Sequence, residues 1–150
     1  MMQINLGCGD KRIEDHINID IRQSPAVDLI ADCLHLPFED GSIDAVRAFD
    51  FLEHVPNDKR IAIIEEIWRV LKDNGVFEHL TPSTDGRGAF QDPTHLSFWN
   101  INSWFYFCPF LVHGERYYGI RAAFTPYKLE DHNGNEGVIH TYGLMAKEQI

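Results

Sequence analysis

The feature that most constrains the fold is a short apolar run at residues 2–6 that leads at once into the turn Gly7-Cys8-Gly9. Two further apolar runs follow, at 17–21 and 27–32, and they carry the carboxylates Asp20 and Asp32 at or near their ends. Open α/β sheets bind ligands outside the carboxyl ends of their strands. The pattern therefore predicts a glycine turn and two carboxylates at one edge of a parallel sheet.

The rest of the chain continues this α/β pattern as a single domain, residues 1–150. Apolar positions with a helical period follow a fourth buried strand, and turn-rich sequence separates two final strand-like runs. The expected class is a mostly parallel sheet with an antiparallel C-terminal hairpin. The predicted elements are a strand at 42–49, a helix that is capped by Asn57 or Asp58 and ends at a left-handed Gly75, a strand at 75–80, and the runs 120–130 and 138–148.

Composition excludes several partners. The formal net charge is -10 and no cluster of Lys and Arg occurs, so we expect no nucleic-acid partner. Three cysteines without paired spacing indicate reduced thiols, and no targeting or membrane-spanning pattern is visible. We therefore expect a soluble, cytoplasmic protein with no membrane partner.

The glycine turn lacks the marks of a dinucleotide site. The NAD and FAD fingerprint requires a third glycine where Arg12 stands. Only seven residues separate Gly9 from Ile17, which leaves no room for a full helix whose N-terminus could hold a pyrophosphate. Both observations disfavour an NAD-type oxidoreductase fragment.

A cofactor without phosphate suits the turn better, and S-adenosylmethionine is such a cofactor. Its ribose diol can donate to Asp20, its adenine amino group can donate to Asp32, and its sulfonium charge suits an acidic site. The alternative is that each aspartate forms a turn at the end of its strand.

A series of motifs, in order along the chain, resembles the class I S-adenosylmethionine-dependent methyltransferases of the small-molecule, type 11-like kind. The resemblance covers residues 2–80 closely and 81–148 loosely. The motifs are Leu-Gly-Cys-Gly, Asn-Ile-Asp-Ile, Ala-Asp-Cys-Leu-His-Leu-Pro-Phe-Glu-Asp-Gly-Ser-Ile-Asp, Phe-Leu-Glu-His-Val and Trp-Arg-Val-Leu-Lys-Asp-Asn-Gly.

The resemblance implies a Rossmann-like methyltransferase sheet of seven strands and a set of cofactor contacts. It places Gly7 and Gly9 at the methionine part, Asp20 at the ribose, and Asp32 with its two following residues around the adenine. The backbone near Phe49 would face the amino-acid end or the transferred methyl group. The full expected set is Leu6, Gly7, Cys8, Gly9, Asp20, Ile21, Asp32, Cys33, Leu34, Phe49, Asp50 and His54.

Two departures from the family pattern carry consequences. Asn5 stands where an acidic residue is usual, which weakens ammonium recognition. The helices expected before strand 1 and around strand 2 are missing or vestigial, so one sheet face lacks cover although parallel sheets are normally covered on both faces. Either the aromatic segment 98–118 folds over this face or a second copy of the chain does. On this ground we predict a homodimer.

The best candidate for proton acceptance lies after the fifth strand. The stretch Asp92-Pro-Thr-His95 resembles one found there in related methyltransferases, and His is the most frequent general base. The alternative is a turn in which Asp92 caps and His95 packs. His54 is a second candidate. We expect no metal site because no two ligands have helical spacing. We treat four further histidines as structural or surface residues: His79, His113, His132 and His140.

The predicted function is methyl transfer to a small acceptor, a hydroxyl of a sugar or secondary metabolite by resemblance. Residues 81–119 form an aromatic lid or substrate segment, although such aromatic runs more often belong to a core. An Asn/Asp-Pro-Pro-aromatic stretch is absent after strand 4, which disfavours methylation of base amino groups. The alternative is a non-catalytic binding module that retains the fold.

Overall fold

The computed structural model describes residues 1–111 and 118–149. One sheet contains seven strands in the order 3-2-1-4-5-7-6. The strands are β1 (Gln3–Leu6), β2 (Ile17–Asp20), β3 (Leu29–Ile30), β4 (Ile43–Phe49), β5 (Leu71–Pro82), β6 (Phe124–Asn133) and β7 (Ile139–Lys147). The helices are α1 (Arg60–Val70), α2 (Gly88–Gln91) and α3 (Ile101–Phe105).

The strand directions confirm the predicted class. Pairs among β1 to β5 are parallel, whereas β7 runs antiparallel to both β5 and β6. The third strand is shorter than the run 27–32 predicted, because only Leu29 and Ile30 pair with β2. In the described ranges no helix has the length and apolar character needed to cross a membrane.

Side-chain alternation gives the sheet two faces of different character. Val46 and Ala48 of β4 pair with Phe77 and His79 of β5, and all four side chains are buried. Their neighbours along each strand point the opposite way and are half-buried. We call the first the packed face (Ile4, Leu6, Val46, Ala48, Phe77, His79) and the second the open face (Asn5, Arg47, Phe49, Glu78, Leu80, Tyr142, Leu144).

Helix α1 lies on the packed face. Its apolar stripe is fully buried at Ile63, Ile64, Ile67 and Val70, and burial of each side chain contributes about 2 kcal/mol. Lys59 occupies the N-cap without a side-chain hydrogen bond, so the predicted caps at Asn57 and Asp58 are wrong.

The connection from α1 to β5 also differs from the prediction. The helix ends at Val70 and the strand begins at the next residue. Asn74, with φ 61°, takes the left-handed conformation instead of Gly75. Gly75 is required for space, because a Cβ there would lie 2.7 Å from the Lys72 carbonyl oxygen.

The aromatic segment packs beside α1 and not over the helix-poor face. Helix α3 begins with a capping box at Asn100. Trp104 stacks on His79, with ring centroids 3.6 Å apart, and on Trp99 at 4.8 Å. The Arg60 guanidinium of α1 lies 4.5 Å from the Trp99 ring. The expectation that this segment covers the bare face is therefore wrong for its described part, and residues 112–117, including His113, lie outside the described residues.

Side-chain hydrogen bonds replace the missing helices between β1, β2 and β3. The Asn18 side chain accepts from Asn5 Nδ2 at 3.0 Å and from the Ile13 amide at 2.9 Å. It donates to the Ile13 carbonyl and to Asp28 Oδ2, both at 3.0 Å. Arg12 pairs with Asp28 at 2.6 Å, and together with Asn18 it lowers the pKa of Asp28 to about 2. The absence of long helices between these strands agrees with the prediction from the sequence.

The open face remains polar across β4, β5 and β7. Arg47 lies 2.6 Å from Glu78, which also accepts a hydrogen bond from the Tyr142 hydroxyl at 2.9 Å. Lys128 of β6 lies 5.5 Å from the Tyr142 ring centroid. α1 is the only helix longer than five residues in the described part of the chain, and it lies on the other face. Cover of this face by a second copy of the chain stays a prediction.

Candidate functional site

A cleft opens at the carboxyl ends of β1, β2 and β4, where the sequence predicted a site. It has a volume of about 790 Å³ and adjoins a smaller cavity of about 150 Å³. The walls common to both are Gly7, Asp20, Ile21, Phe51 and His54. The cleft also contacts Cys8, Gly9, Phe49 and Asp50, and the cavity contacts Asp32, Cys33 and Leu34. Leu6 lines neither, because its side chain lies in the core.

Both glycines of the turn adopt positive φ, 63° at Gly7 and 53° at Gly9. A Cβ at Gly7 would lie 2.1 Å from the Phe51 ring, so a side chain is excluded there. No atom lies within 4 Å of a Cβ built at Gly9. Gly7 thus lets the Phe51 ring close over the turn, while Gly9 leaves the backbone open to a ligand.

Asp20 fixes the turn from the end of β2. Its carboxylate is buried, with 7 % of the residue exposed. Oδ2 accepts the Gly9 amide at 2.9 Å and Oδ1 accepts the Arg22 amide at 2.9 Å. An ionised carboxylate has about four acceptor positions. Two are used here, and capacity for a diol remains.

The smaller cavity has a mostly apolar wall that also includes the carboxylates of Asp20 and Asp32. Asp32 Oδ1 accepts the Leu34 amide at 2.9 Å, which is the turn that the sequence left as an alternative. The other oxygen is 3.5 Å from His35 Nδ1. Burial raises the pKa of the Cys33 thiol to about 12, so this cysteine is an inert wall residue.

Asn5 has its amide group committed within the fold. Nδ2 donates to Asn18 Oδ1 at 3.0 Å and to the Lys11 carbonyl at 3.3 Å. Three carboxylates line the cleft, those of Asp10, Asp20 and Asp50, together with the cations Lys11 and Arg22. The effect of Asn5 on ammonium recognition stays a prediction.

Asp50 follows β4 in a conformation unusual for a residue with a side chain. Its φ is 49°, and its amide donates to the Leu80 carbonyl at 2.9 Å. Its carboxylate lies 4.0 Å from Lys11 Nζ and 3.8 Å from His140 Nε2. Left-handed non-glycine residues concentrate at functional sites, so the conformation supports a role for this turn.

Two histidine rings meet at one wall of the cleft. The centroids of His54 and His95 are 5.1 Å apart in an edge-to-face arrangement. His54 lines the cleft, whereas the His95 side chain is only 7 % exposed. Asp92 Oδ2 lies 3.8 Å from His95 Nε2. The pair predicted for proton acceptance is thus together, with His54 between it and the cleft.

Glu53, buried behind this wall next to the two histidines, is a residue that sequence reasoning missed. It is 2 % exposed, and its Oε2 has no hydrogen-bond partner among the described residues. Burial, and to a lesser degree the charges of Asp50 and Asp92, raise the pKa of Glu53 to about 8. The available signal was a carboxylate inside the run Phe51-Leu-Glu-His-Val55. The periodicity of this run predicts only that its apolar residues pack in the core.

The comparisons with known proteins agree with this architecture. A family model described as a methyltransferase domain matches residues 5–78, which contain the glycine turn, Asp20, Asp32 and Asp50. No curated protein matches the chain.

Solved structures of the same fold cover almost the whole chain. The [4+2]-cyclase SpnF has a TM-score of 0.72 and 17% identity, over 98% of this chain and 74% of its own. A SAM-dependent methyltransferase from Archaeoglobus fulgidus has a TM-score of 0.71 and 16% identity, over 98% and 86%. The 1,6-didemethyltoxoflavin-N1-methyltransferase of Burkholderia thailandensis, solved with 1,6-didemethyltoxoflavin and S-adenosylhomocysteine, has a TM-score of 0.66 and 18% identity, over 99% and 71%.

Proposed function

We propose that this chain, whose residues 5–78 match the methyltransferase-domain family, methylates a hydroxyl group of a small-molecule acceptor with S-adenosylmethionine as the donor. The observation that carries the proposal is the cleft around a glycine turn that the carboxylate of Asp20 holds in place. S-adenosylmethionine, when bound, supplies a methyl group activated by the adjacent sulfonium. The fold alone does not name the reaction, since a cyclase has it too.

We assign the ends of the cofactor by the chemistry of the walls. Asp20 has free acceptor capacity for the ribose diol, and the apolar cavity beside Asp32, Cys33 and Leu34 suits a planar adenine. The open backbone at Gly9 and the carboxylate of Asp50 suit the cationic methionine end. Phe49, Ile21 and Cys8 complete the walls, whereas Leu6 contributes only its backbone position.

For the acceptor hydroxyl we propose proton acceptance by His95 with Asp92. His95 Nδ1 lies 2.9 Å from the Ala89 carbonyl oxygen, which can only accept, so Nδ1 carries the proton and Nε2 is the basic atom. Asp92 stabilises the protonated ring from 3.8 Å. Because in-line methyl transfer depends mainly on positioning, this pair contributes the proton transfer and the cleft contributes the larger share of the rate.

We also propose that a second copy of the chain covers the open face. The face carries Arg47 and Lys128 alongside Glu78 and Glu130, so both charge signs are available for a two-fold, self-complementary contact. Half-buried Leu80 and Leu144 supply apolar area. The three buried, unpaired cysteines support a reducing compartment, and we propose a cytoplasmic location.

The test is release of S-adenosylhomocysteine across a panel of hydroxylated sugars and phenols, with amine analogues as the matched control. Methylation at oxygen, located by NMR of the product, supports the proposal. Turnover confined to the amines contradicts the hydroxyl assignment. Competition by NAD, with none by S-adenosylhomocysteine, would contradict the cofactor assignment.

A further inference from the structure

Three potential ligands from two parts of the chain converge beside the cleft, and His54 is the one that lines it. Glu53, His54 and His95 each offer one ligand atom, and the three atoms lie within 4.8 Å of one another. The backbone holds the two loops together, because the amides of Leu96 and Ser97 donate to the Glu53 carbonyl at 2.8 and 3.0 Å. The cluster is therefore built by the fold and not by helical spacing.

Both imidazole rings are held by Nδ1. His54 Nδ1 lies 3.2 Å from the Thr94 carbonyl oxygen, and His95 Nδ1 lies 2.9 Å from that of Ala89. Thr94 Oγ1 is also near His54 Nδ1, but its single proton goes to Asp92 Oδ1 at 2.7 Å. Each Nδ1 is thus a donor, which leaves Nε2 of both rings with a free lone pair. Metal-binding histidines are oriented in the same way, by a donated bond from the second ring nitrogen.

The carboxylate supplies the second, independent observation. Glu53 is only 2 % exposed to solvent, and its Oε2 has no hydrogen-bond partner among the described residues. A buried, unpartnered polar atom is costly. Here the unpartnered atom belongs to a carboxylate that lies beside two imidazole rings, each with a free lone pair. A bound cation would accept lone pairs from all three side chains.

We propose that Glu53, His54 and His95 bind one divalent first-row transition-metal ion, with Zn²⁺ as the reference ion. Two imidazoles and one carboxylate form a donor set that Zn²⁺ and its neighbours favour, whereas Mg²⁺ and Ca²⁺ favour oxygen donors. Bonds of about 2.0–2.2 Å require the ligand atoms to draw closer than the 4.8 Å limit. Exposed His54 is the ligand with freedom to move.

The surrounding groups suit a cation. Asp92 Oδ2 lies 3.8 Å from His95 Nε2, and Thr94 fixes the other Asp92 oxygen through its amide at 2.8 Å and its hydroxyl at 2.7 Å. Asp50 adds a further negative charge at the cleft. No Lys or Arg is paired with Glu53 or Asp92 in the described ion pairs.

The inference rests on the proposed function only for the role of the ion. His54 lines the cleft, so an ion held there lies where an acceptor oxygen can reach it. With an ion bound, Nε2 of His95 would be a ligand, and the ion would orient the acceptor oxygen. The proton acceptance proposed above for that nitrogen would then apply to the metal-free protein. Metal binding itself is measured without cofactor or acceptor.

The experiment is titration of the chelator-treated full chain with Zn²⁺ by calorimetry, and with Co²⁺ by visible absorption. We expect one ion per chain and Co²⁺ bands typical of nitrogen and oxygen ligands. Glu53→Gln keeps the size of the side chain, and His54→Gln changes an exposed residue. Each should weaken Zn²⁺ binding by about a hundredfold or more, beyond the loss typical of outer-shell changes. His132→Gln is the control, because it removes an exposed histidine 2.8 Å from Glu130.

Circular dichroism establishes that each variant is folded. Absence of saturable Zn²⁺ binding by the folded wild type would overturn the inference, as would wild-type affinity in a folded His54→Gln variant. Equal loss in His132→Gln would overturn it too, because binding would then be distributed over surface histidines. If the chain binds S-adenosylhomocysteine but not Zn²⁺, only the metal site fails. If it binds Zn²⁺ but not S-adenosylhomocysteine, the proposed function fails and the metal site stands.

Discussion

The two faces of the sheet differ in how their side chains are packed. The packed face buries rings and aliphatic side chains under α1 and α3, with Trp104 at 0 % exposure. The open face keeps its side chains half-buried and joins them by polar contacts, such as Arg47 with Glu78 at 2.6 Å. The main apolar core therefore lies on the packed face, and the open face is the one that we propose to be covered by a second copy of the chain.

The largest expected effect comes from removing a ring of the packed face. Trp104→Ala should lower the free energy of unfolding by about 3–5 kcal/mol, because it leaves a cavity against His79 and Trp99. Tyr142→Ala on the open face is the matched change. In dilute, monomeric samples it should cost less than half as much in urea unfolding. Equal losses would contradict the division into two faces.

The packed face should also set the acid sensitivity of the fold. Burial lowers the pKa of His79 to about 3, while the unfolded chain protonates near 6.5. Below pH 6.5 the unfolded state binds the extra proton, so stability is complete above 6.5 and falls as the pH drops toward 3. The slope is about 1.4 kcal/mol per pH unit.

Urea midpoints between pH 7 and 4 measure that slope. His79→Leu should flatten the dependence relative to wild type, since the remaining carboxylates titrate in both proteins. His140→Leu, which changes a half-exposed histidine, serves as the control. An unchanged slope in His79→Leu would assign the acid sensitivity to other groups.

The open face should control association. Leu144→Arg places a charge among residues that we propose to be covered by a second copy, and it should shift sedimentation from dimer to monomer. Tyr127→Arg is the control, because Tyr127 is 66% exposed at a bulge of the edge strand. A wild-type chain that sediments as a monomer at high concentration would contradict the proposed dimer.

The smallest expected effect comes from removing a single hydrogen bond of the open face. Tyr142→Phe removes the donor to Glu78 Oε1 but keeps the ring beside Lys128. The loss in unfolding free energy should be about 0.5–1 kcal/mol. A loss comparable to that of Trp104→Ala would show that the polar network is as important as the aromatic packing.

Local sequence signals predicted much of the fold and the position of the glycine turn with its two carboxylates. The strand before Gly7, the carboxylates Asp20 and Asp32 and the terminal hairpin follow from periodicity, turn chemistry and chain length, which act over a few residues. The face that the aromatic segment covers was not predictable in this way. It depends on Trp104 meeting His79 from a distant strand, and both packings bury the same residues.

The wall of the cleft shows the same limit. Asp92 and His95 were identified from a short motif, but Glu53 was not, because its significance arises from burial beside His95 across two loops. The left-handed residue after α1 was predicted to be Gly75, but it is Asn74. Both residue types tolerate that conformation, and the glycine is needed instead because a Cβ there would lie too close to the Lys72 carbonyl oxygen.

The most direct test of the cofactor cleft is calorimetric titration with S-adenosylmethionine and S-adenosylhomocysteine. We predict a dissociation constant in the micromolar range, about -8 kcal/mol, that Asp20→Ala weakens at least tenfold while Asp58→Ala, at an exposed position outside the cleft, leaves it unchanged. Wild-type binding by a folded Asp20→Ala protein, or no heat with either ligand in a folded wild type, would contradict the assignment of the cleft.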